Sequence, residues 1–188
     1  MQPKPLLDPN RAYTFSNYFD LNADPFDLVA EFGYSLVRAQ LRLPQFSGQL
    51  EQLDALKERI EAILPYVDLV NETARREVLI APIVSEIVRI THARLSIEYP
   101  LQVSQKLQGS LDYYLRTQTQ LLVIEAKQAD LTRGLTQLTI ELIALDQWTS
   151  LTQPDLLGAV TERQYLAIRG AAPRVTTGRT RLKSLSSH

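Results

Sequence analysis

With 188 residues, 45% hydrophobic and 22% charged, the chain has the make-up of one globular domain that can bury a core without cross-links, which excludes wholesale disorder and fibrous or low-complexity classes. The lack of cysteine excludes disulfide scaffolds, thiolate zinc sites, iron–sulfur clusters and cysteine nucleophiles, and two histidines, His92 and His188, are too few for a histidine-rich metal site or a Ser-His-Asp triad, so any metal needs oxygen ligands. A net charge of −1 excludes nucleic-acid binding through bulk electrostatics, although residues 131–188 carry 7 basic against 4 acidic side chains.

Met-Gln-Pro-Lys-Pro opens the chain without an apolar signal segment, and runs such as Leu121 to Ile124 are too short to cross a bilayer, so a soluble cytoplasmic protein without membrane contact is expected. The first stretch mixes the aromatics Tyr13, Phe15, Tyr18 and Phe19 with the turn formers Asn22-Ala23-Asp24-Pro25. It predicts an irregular aromatic entry, a short helix from Pro25 and an extended piece up to Pro44. Leu53, Leu56, Ile60 and Ile63 then follow a 3-4-3 spacing, which predicts an amphipathic helix of about four turns within 50–64, stopped by Pro65.

Asn71 is placed to cap a second helix over 71–90, with Pro82 expected to kink it. From Leu95 the period changes to two. Leu95, Ile97 and Tyr99 alternate with polar residues, Leu107 to Leu115 and Gln120 to Lys127 follow, and the three read as a meander whose second connection is the short link Arg116-Thr-Gln-Thr119. Leu131, Leu135, Leu138, Leu142 and Leu145 predict a helix over 131–147 with an apolar face that covers the sheet. Leu156–Thr161 and Tyr165–Ile168 read as further strands. Residues 169–188, basic and without an acidic residue, read as a mobile tail that either tracks a phosphate backbone or serves as a solubilising end.

The chemistry centres on the third strand. Alternation puts Leu121, Val123, Glu125 and Lys127 on one face and Leu122, Ile124 and Ala126 on the other. Glu125 and Lys127 end an otherwise apolar strand, where charged groups need partners. A Glu-x-Lys pair on a strand is most often a solvent-facing ion pair. Here, however, Lys127 alone among five lysines has an acidic residue two positions before it, and Asp112 lies across the hairpin from Glu125. Two carboxylates and a backbone carbonyl are hard oxygen ligands that suit Mg²⁺.

This arrangement resembles the PD-(D/E)XK nuclease superfamily, the restriction-endonuclease-like fold, in which a helix bearing a glutamate precedes a strand with an aspartate, a strand ending in Glu-x-Lys and a covering helix. The matching pieces are Asn71–Pro82, Gly109-Ser-Leu-Asp112, Leu122-Val-Ile-Glu-Ala-Lys127 and the helix containing Gln137, so that the resemblance spans about residues 70–168. It implies an α/β fold with a central mixed sheet flanked by helices, and metal-dependent phosphodiester hydrolysis with Mg²⁺ or Mn²⁺. Asp112, Glu125 and the Ala126 carbonyl would hold the metal, and Lys127 would orient the attacking water and stabilise the growing negative charge. Glu72, ten residues before Pro82, matches the helix glutamate, with Glu77 as the alternative; both also suit a first helical turn, where the dipole favours acids. Gln137 matches a glutamine near the site of RecB-like nucleases, and reads equally as a polar residue beside Leu138 on an amphipathic helix. The tyrosine expected four residues later is Glu141 here, and the proline expected before Asp112 is Leu111.

His92 reads as a helix-terminal or loop residue. Trp148 and Tyr113-Tyr114 read as core and sheet aromatics, with Tyr114 sharing a face with Asp112. The expected organisation is an N-terminal aromatic segment over 1–48 packing on the core, a restriction-endonuclease-like domain over 49–168 and a basic tail over 169–188. Nucleic acid, DNA more than RNA, is the expected partner. The rival reading is a non-catalytic interaction or scaffold protein, in one form a homodimer, that keeps a nuclease-like fold.

Overall fold

The computed structural model describes residues 6–38, 52–118, 120–125, 131–149, 155–160, 164–169 and 174–179. The architecture is mixed α/β. Two short helices, α1 (Phe15–Asp20) and α2 (Pro25–Ala30), precede the strand β1 (Ser35–Arg38). Asp24 starts α2 by accepting the Phe26 N–H at 2.7 Å, and Pro25 follows at a position whose N–H has no helical partner to lose. The helix expected within 50–64 is α3 (Leu53–Ile63), which is three turns long and passes at Leu64-Pro65 into a short 3₁₀ turn.

The helical run from residue 72 to residue 91 has three parts. Asn71 caps α4 (Glu72–Arg75) by accepting the Ala74 N–H at 2.7 Å. Residues Arg76–Ile80 wind as a π-helix, and α5 (Ala81–Thr91) completes the run. Pro82 lacks the N–H that would bond back to the carbonyl of residue 78, and the wider turn just before it absorbs that gap. His92 ends α5 with a left-handed φ of 53°, its N–H donating to the Val88 carbonyl at 2.8 Å, which is the helix-terminal position its sequence context predicts.

The strands β2 (Arg94–Ser104), β3 (Leu107–Arg116) and β4 (Gln120–Glu125) form the antiparallel meander. Helix α6 (Leu131–Trp148) then crosses over to β5 (Asp155–Val160), which pairs parallel to β4. β6 (Gln164–Arg169) and β7 (Arg174–Arg179) continue antiparallel, and β1 closes the far edge parallel to β7. The order across the seven-stranded sheet is β1-β7-β6-β5-β4-β3-β2. Residues 174–179 therefore correct the expectation of a tail, because they pair on both sides. A strand so placed satisfies its backbone groups regardless of its charged side chains. Among the described residues no helix is long and apolar enough to cross a membrane.

Two apolar clusters hold the layers together. On one face of the sheet, Leu111, Tyr114, Val123, Leu156 and Val160 pack with α6 and the N-terminal segment. On the other, Tyr113, Leu115 and Ile124 pack with Val84 of α5. The expectation for α6 was a single apolar face. The helix is instead buried nearly all round, with Leu138, Ile140, Leu142, Ile143, Ala144 and Leu145 fully enclosed. Its second side is covered by the aromatic entry segment, which is fastened at separate points. The Tyr13 N–H donates to the Gln105 carbonyl at 2.8 Å, the Tyr18 hydroxyl donates to the Lys106 carbonyl at 2.6 Å, and the Tyr34 hydroxyl donates to Asp146 Oδ2 at 2.7 Å. Gly109, at φ 151°, leaves room for Phe15, whose ring would lie 2.6 Å from any added Cβ.

Helix and sheet also approach closely at Gly158, where an added Cβ would stand 2.9 Å from both Leu138 and Leu142. Gly158→Val should lower stability by about 1–3 kcal/mol, read as a shift in denaturant midpoint. Adding Leu138→Ala should recover part of the loss; no recovery would show that the clash is not with the helix.

Burial raises the pKa of Tyr18, Tyr34, Tyr113 and Tyr114 above the ordinary 10.0, and for Tyr34 the hydrogen bond to Asp146 and its charge add to the effect. The unfolded chain loses these protons near pH 10 while the folded chain keeps them, so folding stability is whole below about pH 10 and falls above it. Melting temperature should decline from about pH 10 upward, and the decline should be shallower in Tyr34→Phe. An unchanged slope would remove Tyr34 from the account.

Candidate functional site

The register of three neighbouring strands makes a row. Tyr113 faces Ile124 across β3 and β4, so position 112 comes level with position 125. Ile97 faces Tyr113 and Tyr99 faces Leu111 across β2 and β3, so Glu98 comes level with Asp112. Glu98, Asp112 and Glu125 thus lie side by side on β2, β3 and β4, and the Glu125 backbone is in turn paired with Val160 of β5. Ala126 and Lys127 lie outside the described residues. Val123 and Ile124 enter opposite clusters, as the alternation along β4 requires.

Regular alternation fails at Asp112. Leu111 and Tyr113 are two residues apart yet belong to opposite clusters, and Glu98 beside them takes a left-handed φ of 50°. Such a local irregularity re-aims side chains. Asp112 Oδ1 meets Arg76 Nη1 at 3.4 Å, and the same nitrogen bonds Glu98 Oε1. Glu77 Oε1 lies 3.7 Å from Arg76 Nε. Burial alone would lower the Arg76 pKa, but the hydrogen bond to Glu98 and the charges of Asp112 and Glu98 outweigh it and hold the guanidinium above its ordinary value. Tyr113 belongs to the same group: burial raises it first, and the Glu77 charge raises it further. Tyr114 does not share this surrounding. It packs in the α6 cluster with its ring 5.2 Å from that of Tyr99, which in turn stands 6.0 Å from the Trp148 ring, so the expectation that Tyr114 shares a face with Asp112 is corrected by the broken alternation.

Glu72 sits in the first turn of α4, one turn before Arg76, where the helix dipole favours an acid. The parallel crossover from β4 to β5 makes α6 run back against the strands, so its early turns, which hold Gln137, overlie the end of β4 that carries Glu125. Gln137 is buried, and its Nε2 donates to Glu141 Oε1 at 2.8 Å, a pair one turn apart inside the protein. The polar residue beside Leu138 is thus itself enclosed, on a helix buried nearly all round. Arg76 and Glu98 were not singled out from sequence. The hairpin register would have found Glu98, but nothing distinguishes Arg76 from Arg75 before the helix is docked.

Among the described side chains, which do not include that of Glu125, no three acidic or histidine groups gather as a metal cage. Carboxylate oxygens are the donors a hard divalent cation takes, and Asp112, which offers them, already has the cationic Arg76 seated against it.

A double-mutant cycle tests the buried α6 pair. Gln137→Met should cost about 1–3 kcal/mol, because the Glu141 carboxylate loses a donor where water cannot replace it, whereas Gln137→Met combined with Glu141→Met should cost less than the single change. Additive losses in thermal or urea unfolding would rule out the coupling. Compared with family models, with curated proteins and with solved structures, the chain matches none.

Proposed function

We propose that the chain hydrolyses phosphodiester bonds of nucleic acid, DNA in preference to RNA, as a metal-dependent nuclease of the PD-(D/E)XK type acting in the cytoplasm. The observation that carries this reading is the level pairing of positions 112 and 125 across β3 and β4, with Lys127 two residues beyond. It is supported by the order in which the elements come: helix, three antiparallel strands, crossover helix, parallel strand.

In this reading Asp112, Glu125 and the Ala126 carbonyl hold Mg²⁺ or Mn²⁺, which when bound supplies a lowered water pKa and neutralises phosphate charge. Lys127 orients the water for attack on phosphorus and stabilises the negative charge that grows on the phosphate oxygens. The new phosphorus–oxygen bond forms as the bond to the sugar oxygen breaks, and the water proton is released to solvent while the departing oxygen takes one up. Gln137 overlies the same strand end and steadies that side of the site, and Glu72 completes the set from the helix.

Purified protein should cleave a panel of single- and double-stranded DNA and RNA only with Mg²⁺ or Mn²⁺ present. Lys127→Ala should lower the rate by about 100-fold or more while Mn²⁺ binding persists, and Asp112→Asn with Glu125→Gln should abolish Mn²⁺ binding in calorimetry. Cleavage by Lys127→Ala at the wild-type rate would overturn the assignment. One observation favours a second reading, a non-catalytic scaffold: Asp112 is already engaged by Arg76, as in a structural ion pair. That reading requires wild type and the double variant to behave alike toward Mn²⁺.

A further inference from the structure

One cation at Asp112 is a guanidinium. Arg76 Nη1 spans Asp112 and Glu98, which face each other on β3 and β2, and Arg76 and Asp112 are largely buried, with 21% and 14% of their side-chain surface exposed, while Glu98 is half exposed at 51%. The contact with Asp112 is long for a hydrogen bond, at 3.4 Å, and the same nitrogen also bonds Glu98. Both ends also rest on irregular backbone: Arg76 opens the π-helical stretch, and Glu98 holds a left-handed φ that side-chain-bearing residues seldom adopt. An arginine stays charged under all ordinary conditions, so it cannot yield to a second cation by losing a proton. It can yield only by moving.

We infer that Arg76 is a positioning residue that competes with a divalent cation for Asp112, and that Glu98 is the carboxylate that retains Arg76 once Asp112 is released. The inference rests on the metal site proposed at Asp112 and Glu125 and adds to it a resident counter-charge and an anchor on the neighbouring strand. Arg76 keeps Asp112 in place and neutralised before the metal arrives. Because the same nitrogen also bonds Glu98, the guanidinium gives up the Asp112 leg without leaving the site, and from there it remains beside the phosphate that the metal would bring.

The test is Mn²⁺ affinity of the full chain by calorimetry, with circular dichroism to confirm folding. Arg76→Gln should bind Mn²⁺ about tenfold more tightly than wild type, the effect of removing one neighbouring like charge, while Arg76→Lys should stay near wild type. Glu98→Gln should weaken Mn²⁺ binding, because Arg76 then has only the 3.7 Å contact with Glu77 to draw it off Asp112, and this effect should vanish when combined with Arg76→Gln. Unchanged or weaker affinity in Arg76→Gln, with binding still lost in Asp112→Asn, would overturn the competition and leave the metal site standing. Weakening by Glu98→Gln in both backgrounds would make Glu98 a direct ligand and overturn its retaining role. No Mn²⁺ binding by wild type and Arg76→Gln alike would overturn the metal site and the inference together, whereas binding by Arg76→Gln alone would support both.

Discussion

The enclosure of α6 is the constraint on which the rest depends. A helix whose residues from Leu138 to Leu145 are out of water on nearly every side cannot be satisfied by a sheet alone. A second layer is required, and the N-terminal aromatic segment supplies it through Phe15, Tyr18, Leu28 and Val29. That in turn fixes the β2–β3 turn, which Tyr13 and Tyr18 hold by backbone carbonyls, and so fixes the register of the two strands that carry Glu98 and Asp112. Removing a few apolar side chains from the entry segment would therefore loosen a row of carboxylates on the far side of the hairpin turn, without touching any of them.

Much of the architecture could be read from residue spacing. The 3-4-3 pattern from Leu53, the period-two run from Leu95 and the leucine ladder from Leu131 each name an element that forms, because period reports which face meets a partner. What spacing cannot report is how many partners there are. Ile140, Ile143 and Ala144 lie off the leucine ladder, yet they are fully buried in the cluster that the N-terminal segment joins. β7 escaped for a different reason: Arg174-Val-Thr-Thr-Gly-Arg179 has almost no apolar alternation for a pattern to announce, and what defines the strand is its backbone pairing with β6 and β1.

The site divides in the same way. That Asp112 approaches the end of β4 follows from the short link at 116–119, since a tight hairpin fixes which positions face each other. That Asp112 meets Arg76 does not, because it needs the helix docked on the opposite face and a break in alternation at one residue. The π-helical stretch before Pro82, which begins at Arg76, adds an offset that no helical wheel drawn through residues 71–90 would contain.

The parallel pairing of β1 with β7 has a consequence in time rather than in space. Ser35 stands opposite Arg174, so the edge strand formed by the early part of the chain finds its partner only after nearly all of the remaining sequence has been made and folded. Contacts of such sequence separation are slow to form, because the whole intervening loop must be ordered first. During synthesis β1 waits with an unpaired edge, while the meander from β2 to β4, joined by short turns, can assemble as soon as it emerges from the ribosome. The order of folding therefore runs from the middle of the sheet outward, and the hairpins bearing the carboxylate row form before the fold is closed around them.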